Sequence, residues 1–91
     1  MKSTLLREML GESLREQRFA QGRTLREVSS AARVSLGYLS EGERGQYEAS
    51  RALISAICTA LERPQSDLMR FVSDKMLKNE DAPEHRITVA A

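Results

Sequence analysis

The sequence predicts an all-α domain of five short helices. Apolar residues recur with a helical spacing of three or four positions almost throughout, and no segment shows the sustained alternation of a β-strand. Only two prolines interrupt the 91 residues. Hydrophobic residues make up 41% and charged residues 30% of the chain, which is typical of a globular domain. We therefore expect one helical domain over residues 4–78 and a flexible tail over residues 79–91.

The first helix is predicted over residues 4–21, because one stripe of its surface is apolar. The stripe consists of Leu5, Leu6, Met9, Leu10 and Leu14. Arg18 continues this stripe, so its charge needs a partner inside the fold. Gly22 is expected to end the helix in a left-handed conformation.

The second and third helices fit a helix-turn-helix. The second begins at Thr24, whose hydroxyl and the Glu27 carboxylate are spaced as a capping box. It is expected to end near Arg33. Ser35 then caps a third helix that runs to about Arg44. Two helices joined by such a short turn are typical of the motif.

The fourth and fifth helices complete the domain. Ser50 caps the fourth, which has the clearest amphipathic pattern in the chain, with Leu53, Ile54, Ile57, Cys58 and Leu61. The fifth is predicted over residues 64–78, with Pro64 in a position that a first helical turn tolerates. Because Cys58 lies on the buried stripe, a packing role is favoured over redox sensing.

The composition excludes several classes of protein. One cysteine allows no internal disulfide and no cysteine-rich zinc site. One histidine, His85, allows no histidine-based metal cluster and no Ser-His-Asp triad, so we expect no enzyme, cofactor or metal. No apolar run approaches the roughly 18 residues of a membrane helix. The amino-terminal residues do not form a signal peptide, so a cytoplasmic protein is expected.

A family resemblance points to DNA. Residues 24–45 read TLREVSSAARVSLGYLSEGERG and resemble the helix-turn-helix of the Cro/C1-type (XRE) bacterial regulators. The resemblance extends over about residues 5–72, and within the family the sequence most resembles the regulators of Clp protease genes. It implies a five-helix fold like that of lambda repressor. It also implies a homodimer that binds an inverted-repeat operator and regulates transcription, as an activator of Clp protease and stress genes.

The resemblance assigns residues to the DNA interface. Leu36, Gly37 and Glu41 match base-facing positions, where Leu36 suits a thymine methyl group and Glu41 suits a cytosine amino group. Residues 15–33 carry five arginines against two acidic residues, which supplies local positive charge despite a net charge of only +1. The expected phosphate contacts are Arg23, Thr24, Arg26, Arg33, Ser35, Tyr38, Arg44, Gln46 and Tyr47. For Tyr38, partial core packing is the alternative.

The family pattern also implies a structural ion pair between Arg18 and Glu43. Relatives usually carry a large apolar residue where this chain has Gly42. Either the third helix is loose without DNA, or Tyr47 fills the space beside Gly42.

Dimerisation is expected through the fifth helix, because a single module makes few contacts with DNA. The expected contact residues are Leu68, Met69, Phe71, Val72 and Met76. The alternative is that all of them pack internally. Further expected partners are RNA polymerase and Clp protease, the latter through Ala90–Ala91, which resembles a degradation tag. An inert chain end is the alternative for these two alanines.

A second class of function stays open. A helix-turn-helix fold can bind another protein, as an antitoxin or a partner-binding regulator does. The near-neutral charge and Gly42 favour this alternative, whereas the arginine cluster around the motif favours DNA. A steep loss of DNA affinity with salt would separate the two.

Overall fold

The protein forms five α-helices and no strand within residues 5–80, the part of the chain that the computed structural model describes. The helices are α1 (Leu6–Ala20), α2 (Leu25–Ala32), α3 (Leu36–Glu43), α4 (Arg51–Ala60) and α5 (Gln65–Glu80). The predicted all-α class is confirmed, and the helix ends lie within two residues of the predicted positions. α5 starts one residue after Pro64 and continues through Asn79 to Glu80, into the segment expected to be flexible.

Local side-chain caps start the inner helices as predicted. The Glu27 amide donates to Thr24 Oγ1 at 3.0 Å, and the Thr24 amide donates to Glu27 Oε1 at 2.7 Å. These hydrogen bonds hold the Glu27 pKa below its ordinary value, because they favour the carboxylate. The hydroxyls of Ser35 and Ser50 each accept from the amide three residues on, at 3.1 and 3.0 Å. These contacts fix where α2, α3 and α4 begin.

Left-handed residues end four of the helices, α1 to α4, with Gly45 at φ of +72° after α3. The expected one at Gly22 is confirmed, with φ of +64°. Arg33 and Glu62 adopt the same conformation at φ of 60° and 56°, although it costs a side-chain-bearing residue about 1–2 kcal/mol. In both turns the following amide donates to the carbonyl five residues back at 3.0 Å, which compensates the strain. The turn between α2 and α3 is therefore sharply defined.

The core lies between all five helices. α1 packs against α3 and α5, α2 packs against α3 and α4, and α4 contacts α5. The buried cluster consists of Leu14, Val28, Ala32, Leu39, Leu53, Ile57, Cys58, Leu61 and Leu68. Burial raises the pKa of the Cys58 thiol, which keeps it protonated and supports a packing role.

The first turn of α1 departs from the prediction. Leu5 and Leu6 were expected on the buried stripe, but they are 46% and 59% exposed. Leu6 lines a shallow cavity with Met76 and Glu80 near the end of α5, where the described chain ends. No described residue covers this turn, so the stripe is buried only from Met9 onward.

Two sequence predictions lie outside the described residues. These are the tail beyond residue 80, with Ala90–Ala91, and His85. Among the helices of residues 5–80, none is long and apolar enough to cross a membrane.

Candidate nucleic-acid interface

α3 presents one face to solvent and one to the core. Gly37, Glu41 and Arg44 fall on the same side of the helix and are exposed. Leu36 and Tyr38 flank this face and are 37% and 42% exposed. The buried side carries Leu39, Gly42 and Glu43. The three predicted base-facing residues therefore share the accessible side of α3.

α3 is intrinsically weak as a helix. Two of its eight residues are glycines, and each costs about 1 kcal/mol relative to alanine in a helix interior. Leu39, at 1% exposure, anchors the helix in the core. The other contacts that hold α3 come from α1, from α2 and from the loop that follows α3.

A close backbone approach joins α1 to the end of α3, and the sequence analysis missed it. A Cβ atom at Gly11 would lie 2.7 Å from the carbonyl oxygen of Glu43 and still closer to that of Gly42. Only glycine fits at this crossing. Arg7 adds a hydrogen bond from Nε to the Gly45 carbonyl at 2.9 Å. The sequence carried one signal for this close approach, which is the position of Gly11 in the middle of a segment that otherwise favours a helix.

Arg18 and Glu43 form a buried two-pronged ion pair. Arg18 Nε donates to Glu43 Oε2 at 2.8 Å, and Nη2 donates to Oε1 at 2.9 Å. Hydrogen bonding to this carboxylate raises the Arg18 pKa above its ordinary value. The third arginine nitrogen donates to the Arg23 carbonyl at 3.0 Å, and the Phe19 ring centroid lies 4.8 Å from the guanidinium carbon. The pair thus ties α1, α3 and the turn after α1 together.

Arg23 makes a contact that the sequence prediction did not include. Its Nη1 donates to the Ala60 carbonyl at 2.6 Å, and the residue is half-buried. Gln21 Nε2 donates to the next carbonyl, that of Leu61, at 2.7 Å. Both side chains satisfy carbonyls at the end of α4 that lack helical partners. The structure thus directs Nη1 of Arg23 to α4, and a phosphate contact through its other donors stays a prediction.

The other arginines that were expected to contact phosphate lie at the surface. Arg26 and Arg33 are exposed on α2 and its final turn, and Arg44 is exposed at the end of α3, with Nη1 donating to Ser40 Oγ at 3.2 Å. Thr24, Ser35 and Gln46 are also exposed. Because Glu43 neutralises Arg18, the positive charge available to a ligand is smaller than the sequence count suggested.

Two tyrosines meet beside α3. The rings of Tyr38 and Tyr47 stack with centroids 4.7 Å apart and planes 10° from parallel. Tyr47 Oη donates to the Tyr38 carbonyl at 2.6 Å. Tyr38 therefore packs against the loop after α3 and not in the core.

The predicted dimer residues on α5 divide into two groups. Met69, Phe71 and Met76 are 39–45% exposed. Leu68 and Val72 are only 1% and 5% exposed, so their assignment to a dimer contact is corrected. They fill the chain's own core because α5 needs one apolar face to pack on α1 and α4.

An ion-pair bridge fixes α5 on α1. Lys75 Nζ lies 2.7 Å from Glu12 Oε1 and 3.0 Å from Glu16 Oε2. Burial alone lowers the Lys75 pKa, but the hydrogen bonds to the two carboxylates outweigh it and the pKa is raised. Among residues 5–80, no three histidine, cysteine, aspartate or glutamate side chains are grouped so that they could hold a metal ion.

The helix-turn-helix domain family matches residues 9–71 of this chain. The chain is a helix-turn-helix transcriptional regulator of the Cro/C1 type. The transcriptional regulator ClgR of Mycobacterium tuberculosis is 55% identical over 78 residues, which cover 86% of this chain and 70% of ClgR. The predicted family is confirmed, and the protein is a regulator and not an enzyme.

Solved structures agree with this membership. Two crystal structures of the clp gene regulator ClgR from Corynebacterium glutamicum superpose with TM-scores of 0.78 and 0.81, at 46% and 40% identity. They cover 80% and 94% of this regulator, and 95% and 93% of the solved chains. The restriction-modification controller protein C.AhdI from Aeromonas hydrophila has a TM-score of 0.66 at 29% identity, over 68% of this chain and 94% of that one.

Proposed function

We propose that this regulator binds an inverted-repeat DNA operator as a homodimer and activates Clp protease and related stress genes. The observation that carries the proposal is the identity with ClgR, which extends through the whole helix-turn-helix. The crystallised relatives are described as regulators of clp genes. The exposed face of α3 supplies a surface that fits a major groove.

The base-reading residues of the proposal are Leu36, Gly37 and Glu41. They lie on the accessible side of α3, and Gly37 leaves room because no atom lies within 4 Å of a Cβ built there. The proposed phosphate contacts are Thr24, Arg26, Arg33, Ser35, Tyr38, Arg44 and Gln46. At Thr24 and Ser35 the helix amino termini bring amide groups to the surface, where a phosphate is favoured.

The proposed dimer surface consists of Met69, Phe71 and Met76. With Leu77, which is 58% exposed, four large apolar side chains of this 16-residue helix are exposed, which exceeds what the helix needs for its own packing. A two-fold contact there would place two recognition helices about one turn of DNA, roughly 34 Å, apart. Operator symmetry would then mirror the symmetry of the protein.

Selection from a random duplex library at moderate salt tests this function. We expect the retained DNA to contain an inverted repeat with half-sites about one helical turn apart. Retention should fall steeply as salt rises, because arginines displace counterions from phosphates. If a folded sample enriches no sequence, the protein-interaction module becomes the better hypothesis. Gly42 no longer favours that module, since Tyr47 covers it.

Substituting Glu41 and Arg26 should separate base reading from phosphate binding. We expect Glu41→Ala to lose discrimination at one operator position, by about 1–3 kcal/mol, without losing affinity for random DNA. Arg26→Ala should instead weaken all sequences alike and reduce the salt slope by about one. Binding titrations at several salt concentrations, with matched and mismatched duplexes, provide both measurements. An unchanged base preference in Glu41→Ala would remove Glu41 from the proposed base contacts.

Activation and turnover extend the proposal to two protein partners. We infer that the bound dimer works in the cytoplasm and stimulates RNA polymerase, which transcription with purified polymerase and an operator-bearing promoter would reveal. Recognition by Clp protease through Ala90–Ala91 stays a sequence prediction. Its check is the half-life in cells of a chain with two aspartates appended, which should lengthen if these alanines are a tag.

A further inference from the structure

Tyr47 occupies the space that Gly42 leaves open. A Cβ atom built on Gly42 would lie 2.6 Å from Tyr47 Oη and 3.1 Å from Cζ. The tip of the tyrosine therefore lies directly against the bare backbone of α3. A side chain at position 42 would require the tip of this ring to shift, because real Cβ atoms do not approach so closely.

The same ring also contacts the helix one turn earlier. It stacks on Tyr38 with a centroid separation of 4.7 Å, and its hydroxyl donates to the Tyr38 carbonyl at 2.6 Å. Burial, followed by the proximity of Tyr38, raises the pKa of Tyr47 to about 12, so the hydroxyl stays protonated as a donor. Its only proton is thus engaged inside the protein.

We propose that Tyr47 is a positioning residue that clamps the recognition helix, and not a phosphate contact. Tyr38, Gly42 and Tyr47 together form what we call the tyrosine clamp. This inference rests on the proposed DNA-binding function, since it concerns how α3 is presented to the groove. The clamp spans one full turn of α3, from position 38 to position 42.

The clamp complements the contacts on the other sides of α3. Leu39 holds the helix to the core, and Glu43 holds it to α1. Tyr47 comes from the loop between α3 and α4, so it restrains the helix from a third direction. A helix with two glycines in eight residues has little rigidity of its own. The clamp therefore sets the direction in which Tyr38 and Glu41 point.

Four variants test the clamp: Tyr47→Ala, Tyr47→Phe, Gly42→Ala and the double variant Gly42→Ala/Tyr47→Ala. We expect Tyr47→Ala and Gly42→Ala each to lower operator affinity at least about tenfold, the effect of losing one good base contact. The double variant should lose no more than either single variant, because each breaks the same clamp. Tyr47→Phe keeps the stacked ring and should retain most of the affinity. Glu48→Ala, at the neighbouring exposed position, is the control and should bind normally.

Amide hydrogen exchange without DNA gives an independent readout. Gly42→Ala should speed exchange in α3, although alanine by itself favours a helix. Gly37→Ala makes the same chemical change on the open side of α3, where no atom lies within 4 Å, and should slow exchange. These opposite signs would show that displacement of Tyr47, and not the added methyl group, loosens α3.

Two results would overturn the clamp, and a third would separate it from the proposed function. Equal losses of affinity in Tyr47→Phe and Tyr47→Ala, with normal binding by Gly42→Ala, would make the hydroxyl a phosphate donor. Unchanged α3 exchange in Gly42→Ala and Tyr47→Ala would remove the positioning role. If the unsubstituted protein selects no DNA sequence while exchange responds as expected, the proposed function fails and the clamp remains as a structural device.

Discussion

Replacing Arg18 with methionine is expected to lower the free energy of unfolding by about 3–5 kcal/mol, because it leaves the Glu43 carboxylate buried without its partner. Both side chains of the pair are less than one-tenth exposed, so water cannot take over the lost hydrogen bonds. A domain of this size has a total stability of only about 5–15 kcal/mol. Urea unfolding followed by circular dichroism would measure the loss.

Two further variants control this experiment. Arg15→Met removes an exposed arginine one turn earlier on α1, whose guanidinium lies 5.1 Å from the centroid of the Phe19 ring, and should change stability by no more than about 1 kcal/mol. The double variant Arg18→Met/Glu43→Leu should regain much of the stability, since replacing a whole buried pair with apolar groups is often neutral. Equal stability of Arg18→Met and Arg15→Met would contradict a structural role. It would make a ligand contact the better explanation for Arg18.

Placing lysines on α5 is expected to abolish dimerisation and, with it, tight operator binding. In Met69→Lys/Met76→Lys, two charges would have to be buried unpaired at the proposed two-fold contact. We expect a folded monomer whose operator affinity is about 100-fold lower or worse, because the second half-site no longer binds within the same complex. Sedimentation equilibrium and DNA titration on the same preparation measure the two effects.

The fold of this variant should survive, since both methionines are already exposed. Thr59→Lys adds one charge at an exposed position on α4 and should leave the oligomeric state and the operator affinity unchanged. A double lysine variant that remains dimeric would move the proposed interface away from α5. The exposed leucines of the first turn of α1, Leu5 and Leu6, would then be the next candidates.

The helices were predictable because their determinants are local. Thr24, Ser35 and Ser50 cap helices through atoms three residues away, and Gly22 ends α1 through its own φ angle. Such signals act within one turn and need no knowledge of the rest of the chain. The Arg18–Glu43 contact spans 25 positions and came from the family resemblance, since spacing alone cannot pair two distant charges.

Other assignments needed the packed structure. Leu68 and Met69 are neighbours of similar hydrophobicity, yet one is 1% and the other 44% exposed. Amphipathic spacing shows that α5 has an apolar side, but a wide apolar surface does not show which part of it faces α1 and α4. Arg23 likewise has the charge expected of a phosphate contact, but its Nη1 donates to the Ala60 carbonyl at the end of α4.

Short spacings and a motif of consecutive residues were enough to predict the helices, their caps and the family. What lies across from each helix became known only from the packed fold. The tertiary structure packs Gly11 against the α3 carbonyls, directs Arg23 to α4 and places Tyr47 over Gly42. The physical reason is that close packing selects partners by shape across the whole chain, and no local pattern encodes the shape of a distant surface.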